Sequence, residues 1–160
     1  MNSKVLVADP EKCTGCRLCE IVCSLGRTGV SNPARARIRV LNWQNRGLFL
    51  PVSCRHCEDA PCQKACPQDA ISRDADTDRV VIDYSKCVGC RTCVHACPFG
   101  AMKFDADRGR PFKCDLCGGE PLCVAVCDEN ALVFSDPGSL HYPRVREMAR
   151  TFKKPFNRRL

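Results

Sequence analysis

Sixteen of the 160 residues are cysteine, and their spacing constrains the fold more than any other feature of the chain. They form four quartets with none left over. Cys13, Cys16, Cys19 and Cys23 read C-x2-C-x2-C-x3-C, as do Cys87, Cys90, Cys93 and Cys97. Cys54, Cys57, Cys62 and Cys66 widen the middle gap to four residues, and Cys114, Cys117, Cys123 and Cys127 widen it to five. At this density a short chain is either stapled by disulfides or built around metal. The apolar run Val5-Leu6-Val7-Ala8 is too short for a secretory leader, and no apolar stretch is long enough to span a bilayer. These features predict a cytoplasmic chain with no membrane span, where thiols stay reduced and clustered cysteines bind metal.

The spacing points to [4Fe–4S] clusters. Three close cysteines on a tight loop can reach three corners of an iron–sulfide cube, but the same loop cannot also place a fourth. In bacterial two-cluster ferredoxins the fourth cysteine, followed by proline, ligates the other cluster. Cys66-Pro67 and Cys97-Pro98 carry that proline, whereas Cys23-Ser24 and Cys127-Asp128 do not. Zinc is the alternative. Its structural sites pair two C-x2-C knuckles across a longer gap, and three cysteines each two residues apart crowd a single ion.

The formal charge of +7 counts every cysteine as neutral. Each tetrathiolate [4Fe–4S] centre carries roughly −2, which leaves the holo-protein close to neutral at roughly −1. The basic composition therefore does not imply nucleic acid. Catalytic motifs are missing too: there is no phosphate-binding glycine loop, no H-E-x-x-H and no nucleophile elbow. Complete quartets leave no catalytic thiol. His56 and His95 lie inside the second and third quartets as hydrogen-bond donors or surface residues, and His141 has no local partner. Lys12, Arg17, Lys86, Arg91 and Lys113 flank candidate ligands, either as charges that raise a cluster's potential or as solvent-facing loop charges.

The quartets sit in a repeat. Lys12-Cys13-Thr14-Gly15-Cys16-Arg17-Leu18-Cys19 matches Lys86-Cys87-Val88-Gly89-Cys90-Arg91-Thr92-Cys93, and each follows a short β-like run. A common tail follows three of the last cysteines, ending in Asp69-Ala70-Ile71, Gly100-Ala101-Met102 and Asn130-Ala131-Leu132. The predicted unit is strand, cluster loop, short helix ending at the last cysteine, turn, strand. Between the first two quartets, Arg35, Arg37 and Arg39 alternate with Ala36, Ile38 and Val40 at a strand period. A turn near Asn45-Arg46-Gly47 then makes a hairpin with Leu48-Phe49-Leu50. The arginines read as the wet face of an edge strand, or else as a docking face for an acidic partner.

From about Lys4 to Ser135 this pattern resembles the iron–sulfur electron-transfer subunits of the dimethyl-sulfoxide-reductase type, in their short form without a membrane anchor. The resemblance implies an α+β fold of two bacterial-ferredoxin-like modules, one nested in the other, with short strands and helices around four [4Fe–4S] clusters. Residues 1–23 with 108–136 would form the outer module, 24–53 an inserted hairpin, 54–107 the inner module, and 137–160 a basic docking tail. It also implies that ligands cross over within each module. Cys13, Cys16 and Cys19 would take Cys127; Cys54, Cys57 and Cys62 would take Cys97; Cys87, Cys90 and Cys93 would take Cys66; Cys114, Cys117 and Cys123 would take Cys23. The missing prolines after Cys23 and Cys127 depart from the pattern, and both fall in the outer module.

The function expected is therefore conduction and not catalysis. The implied partner is a catalytic oxidoreductase subunit with a tungsten- or molybdenum-pterin centre, an aldehyde oxidoreductase being favoured. Carbon monoxide dehydrogenase, formate dehydrogenase or hydrogenase are alternatives, as is a free polyferredoxin. A flavin subunit or further copies of the chain would extend the path. With a core this thin, cluster binding is expected to supply much of the folding free energy.

Overall fold

The structure is a computed structural model and describes residues 4–137, so the basic tail expected at 137–160 lies almost wholly outside the described residues. Short elements alternate along the chain: β1 (Val5–Ala8), α1 (Leu18–Thr28), β2 (Arg39–Trp43), β3 (Leu48–Val52), α2 (Pro61–Lys64), β4 (Ile71–Arg73), β5 (Val80–Ile82), α3 (Thr92–Ala96), β6 (Lys103–Asp105), β7 (Arg110–Phe112), α4 (Leu122–Ala125) and β8 (Leu132–Ser135). The strands make four separate antiparallel ribbons. Three join neighbours in sequence, β2–β3, β4–β5 and β6–β7; the fourth pairs β1 with β8. Its register sets Val5 opposite Ser135 and Ala8 opposite Leu132, so the two ends of the described chain close around everything between them. No helix among the described residues is long and apolar enough to cross a membrane.

The three tails fold alike, for a local reason. Each takes one residue into the left-handed region at the same position: Asp69 (φ 48°), Gly100 (φ 59°) and Asn130 (φ 50°). Glycine, asparagine and aspartate are the residues that adopt this conformation most readily. The alanine that follows is buried each time, Ala70, Ala101 and Ala131, and the chain then enters β4, β6 or β8. Two small cores result. One joins Ile38, Val40 and Leu132 with Cys19, Cys23 and Cys123; the other joins Ile71, Val80 and Met102 with Cys93.

Two expectations need correction. The helix of the first quartet does not end at Cys23 but runs on to Thr28. No proline follows Cys23, and Ser24 closes hydrogen bonds within the helix until Gly29 (φ 70°) caps it through an N–H to the Leu25 carbonyl at 2.8 Å. The hairpin forms, but its strand starts at Arg39 rather than Arg35, because Pro33–Arg35 is a 3-10 turn capped by Asn32. The period-two burial survives this change: Ala36, Ile38 and Val40 are all buried. Nor are Arg35 and Arg37 a wet edge. Arg35 pairs with Asp107 at 2.5 Å and Arg37 with Asp115 at 2.6 Å, tying the insert to the region around the fourth quartet.

Candidate metal centres

The four cysteine loops share one backbone device. The residue before the second cysteine has positive φ in every loop: Gly15 (75°), His56 (48°), Gly89 (72°) and Leu116 (57°). That kink turns two successive thiols to the same side. In the first and third loops the arginine after the second cysteine is left-handed as well, Arg17 (φ 62°) and Arg91 (φ 66°), and starts a helix that carries the third. Glycine at 15 and 89 is also a packing requirement. A side chain at Gly15 would run into the Phe49 ring, and one at Gly89 into the Gly109 carbonyl.

Thiols gather across the quartets. One cavity is lined by Cys13, Cys16 and Cys19 together with Cys127. A second is lined by Cys54, Cys57, Cys62 and Cys97, and a third by Cys87, Cys90, Cys93 and Cys66. Cys123 lies within electrostatic range of Cys114, Cys23 and Cys117. Neighbouring groups lie within electrostatic range of one another: Cys123 of Cys19, Cys114 of Cys54, and Cys93 of Cys62.

The residues fit iron–sulfur clusters better than single ions. Among the described residues no three His, Cys, Asp or Glu side chains converge as one metal ion requires; the thiols stand around open volumes instead. Burial pushes the Cys19 and Cys123 thiols up to about 12 and those of Cys93 and Cys114 up to about 11, with neighbouring acids and cysteines adding to the shift. Such thiols ionise only where cations compensate them, and thiolate is the natural ligand of iron–sulfur clusters. Donors to sulfur are already in place. Arg37 N–H lies 3.2 Å from Cys23 Sγ, Ala70 N–H 3.3 Å from Cys66 Sγ, and Leu116 N–H 3.4 Å from Cys114 Sγ. Cys90 is the exposed exception, lowered by the Thr92 hydroxyl at 3.4 Å.

Of the five flanking cations, Lys12 and Lys86 face solvent. Arg17 is committed to the Glu20 carboxylate at 2.6 Å, and Arg91 stacks on the Phe104 ring at 4.0 Å. Lys113 is different: it is 5 % exposed, lines the cavity of Cys54, Cys57, Cys62 and Cys97, and donates to the Cys114 carbonyl at 3.0 Å. His95 is exposed, whereas His56 lines the same cavity as Lys113.

Sequence reading missed two residues that hold the loops. Glu20 is fully buried, and its carboxylate accepts from the Val40 amide at 2.7 Å and from Arg17. Arg73 reaches from β4 to the carbonyls of His56, Cys57 and Glu58, the turn of the second loop. The Arg17–Glu20 spacing is a local signal, but the Val40 amide and the carbonyls of residues 56–58 are far away in sequence and leave no local mark.

Known proteins resemble this chain. The 4Fe-4S dicluster domain family matches residues 45–137, and the 4Fe-4S binding domain family matches residues 10–28. The chain is 44% identical over 124 residues to the polyferredoxin-like subunit of aliphatic sulfonate oxidoreductase from Pyrococcus furiosus, covering 78% of this chain and 71% of that one. It is 34% identical over 174 aligned residues to the electron transport protein HydN of Escherichia coli, covering 93% and 97%. Among solved structures, a chain of the active-site complex BamBC of benzoyl coenzyme A reductase with benzoyl-CoA superposes with a TM-score of 0.51 at 25% identity. That match covers 92% of this chain and 96% of that one.

Proposed function

Because the chain belongs to the 4Fe-4S dicluster family of iron–sulfur electron-transfer subunits, we propose that it relays single electrons through four [4Fe–4S] clusters to or from a catalytic oxidoreductase subunit. Bound there, the clusters supply one-electron exchange with no bond made or broken in a substrate. The observation that carries this reading is the sharing of cavities between quartets. Three thiols of one loop meet the last thiol of another at Cys127, at Cys97 and at Cys66. It supports the ligand sets Cys13, Cys16, Cys19 with Cys127, Cys54, Cys57, Cys62 with Cys97, and Cys87, Cys90, Cys93 with Cys66; the nearness of Cys123 to Cys114, Cys117 and Cys23 supports a fourth set of those four. The closure of β1 on β8 supports an outer module nested around an inner one.

The electrostatic nearness of the thiols supports an order for the path. The sets beginning at Cys13, Cys114, Cys54 and Cys87 follow one another in that sequence, each within electrostatic range of the next. Cys16 and Cys90 are the exposed thiols of the two end sets, so each end of the path reaches the surface. A conduit of this form serves one partner at each end. The partner we favour holds a tungsten- or molybdenum-pterin centre and oxidises aldehydes in the cytoplasm. The oxidoreductase named for the Pyrococcus relative and the benzoyl coenzyme A reductase complex are both compatible with a dedicated catalytic subunit.

Anaerobically purified protein is expected to hold about sixteen irons and sixteen acid-labile sulfides per chain, with interacting EPR signals after reduction. Far fewer irons in intact protein would overturn the four-cluster reading. Purification with a catalytic subunit carrying tungsten or molybdenum supports the partner; purification with one lacking both excludes it.

A further inference from the structure

Two polar groups at the Cys54–Cys57–Cys62–Cys97 cavity have no role in the assignment so far. The first is the His56 imidazole. The Val80 amide donates to its Nδ1 at 3.1 Å, so the ring is neutral and its proton sits on Nε2. That Nε2–H is buried and has no partner among the described residues. A buried donor with no acceptor is rare in a folded protein and points to a group that the protein atoms do not include. The ring lines the cavity, and the backbone holds it there in a left-handed conformation that two of the other loops assign to glycine. The second group is the Lys113 ammonium. It is buried against the same cavity and forms no ion pair among the described residues. The Cys13 set has the opposite neighbour, because the buried Glu20 carboxylate stands beside Cys19.

We propose that His56 Nε2–H donates a hydrogen bond to the sulfur of the cluster held by Cys54, Cys57, Cys62 and Cys97, and that with the Lys113 ammonium it makes this cluster the first of the four to accept an electron. Hydrogen bonds to sulfur and nearby positive charge both stabilise the more negative reduced state. The step is a one-electron reduction by an external low-potential donor. No proton is transferred, and His56 keeps its Nε2 proton throughout. The inference rests on the ligand sets given under the proposed function.

The test is an EPR-monitored potentiometric titration of the anaerobic holo-protein, wild type against His56→Phe, His56→Gln and Lys113→Gln. Cys62→Ser identifies which signal belongs to this site. In His56→Phe and Lys113→Gln that signal is expected to move to lower potential and lose its place as the first to appear, while the other signals stay put. His56→Gln, which restores an amide donor, recovers part of the shift. Wild-type protein grown with 15N-histidine supplies a reading independent of any variant: the first signal carries a 15N hyperfine coupling that survives His95→Gln. A first signal without that coupling overturns the hydrogen bond, even if the variants fail to fold. Unmoved potentials in variants with full iron overturn the tuning role. Fewer than about sixteen irons in wild-type protein would instead refute the four-cluster reading.

Discussion

The structure makes Glu20 the tie between the first cluster loop and the hairpin, and removing its side chain measures that tie. Its Oε1 accepts from the Val40 amide at 2.7 Å across 20 residues of sequence, and its Oε2 takes the Arg17 guanidinium at 2.6 Å. Glu20→Ala removes the carboxylate oxygen that accepts from the Val40 amide inside the core, which costs about 1–3 kcal/mol for the stranded donor. The vacated space adds roughly 1–2 kcal/mol, since the helix and strand can close only part of it. The Arg17 pair adds little, because Arg17 is half exposed and its charge returns to water at about 0–1 kcal/mol. Glu20→Gln is the informative contrast: it keeps an oxygen for Val40 and removes a buried charge, so its net effect stays within about 1 kcal/mol. The gap between the two variants is therefore about 2–4 kcal/mol, or roughly 30- to 1,000-fold in the population of the opened loop. Anaerobic urea titration, following cluster absorbance, reads it directly as the order wild type, Gln, Ala in the urea needed to bleach half the signal. Equal behaviour of the alanine and glutamine variants would refute the argument that the Val40 bond is what matters.

Gly89→Ala and Gly29→Ala both place a side chain at positive φ, at a cost of about 1–2 kcal/mol. Only Gly89→Ala also collides with a backbone carbonyl, so it alone is expected to lower iron content after anaerobic reconstitution. Cys97→Ser and Cys54→Ser are expected to perturb one and the same EPR component, and Cys97→Ser should spare the component that Cys87→Ser perturbs. Arg73→Ala removes the side chain that spans the carbonyls of the second loop; faster bleaching of a quarter of the cluster absorbance is the expected result, and uniform bleaching would place the weak point elsewhere. Removing iron with a chelator under anaerobic conditions is expected to abolish near-ultraviolet circular dichroism, because thin cores lined by cysteine do not hold themselves together. A cooperative unfolding transition in the cluster-free protein would contradict that.

The local content of the fold was legible because it is written in short spacings. C-x2-C marks each loop by its spacing, and in two of them Gly15 and Gly89 also supply the positive φ before the second cysteine. The tails at Asp69, Gly100 and Asn130 specify their turn in the same way. The hairpin was legible from its period-two burial, but its starting point was not. Asn32 and Pro33 impose a 3-10 turn that an alternation count passes over. The length of α1 was also misread: α2, α3 and α4 stop before their last cysteines, at Lys64, Ala96 and Ala125, whereas α1 runs past Cys23 to Thr28, where Gly29 caps it.

What the sequence by itself determined is the kind of centre: four thiols per quartet, three of them near enough on one loop to bind a single cube face. Only the tertiary structure decided which thiols share a cavity. The fourth thiol of each cavity lies beyond the reach of its loop and arrives through long-range pairings such as β1 with β8. The surroundings of each cavity were decided at the same level. A buried carboxylate stands beside Cys19, and a neutral imidazole and an ammonium lie against the Cys54 set. Glu20 and His56 are sequence neighbours of the cysteines they stand beside, but their burial, and the arrival of Lys113 at the Cys54 set from far along the chain, come only with the fold.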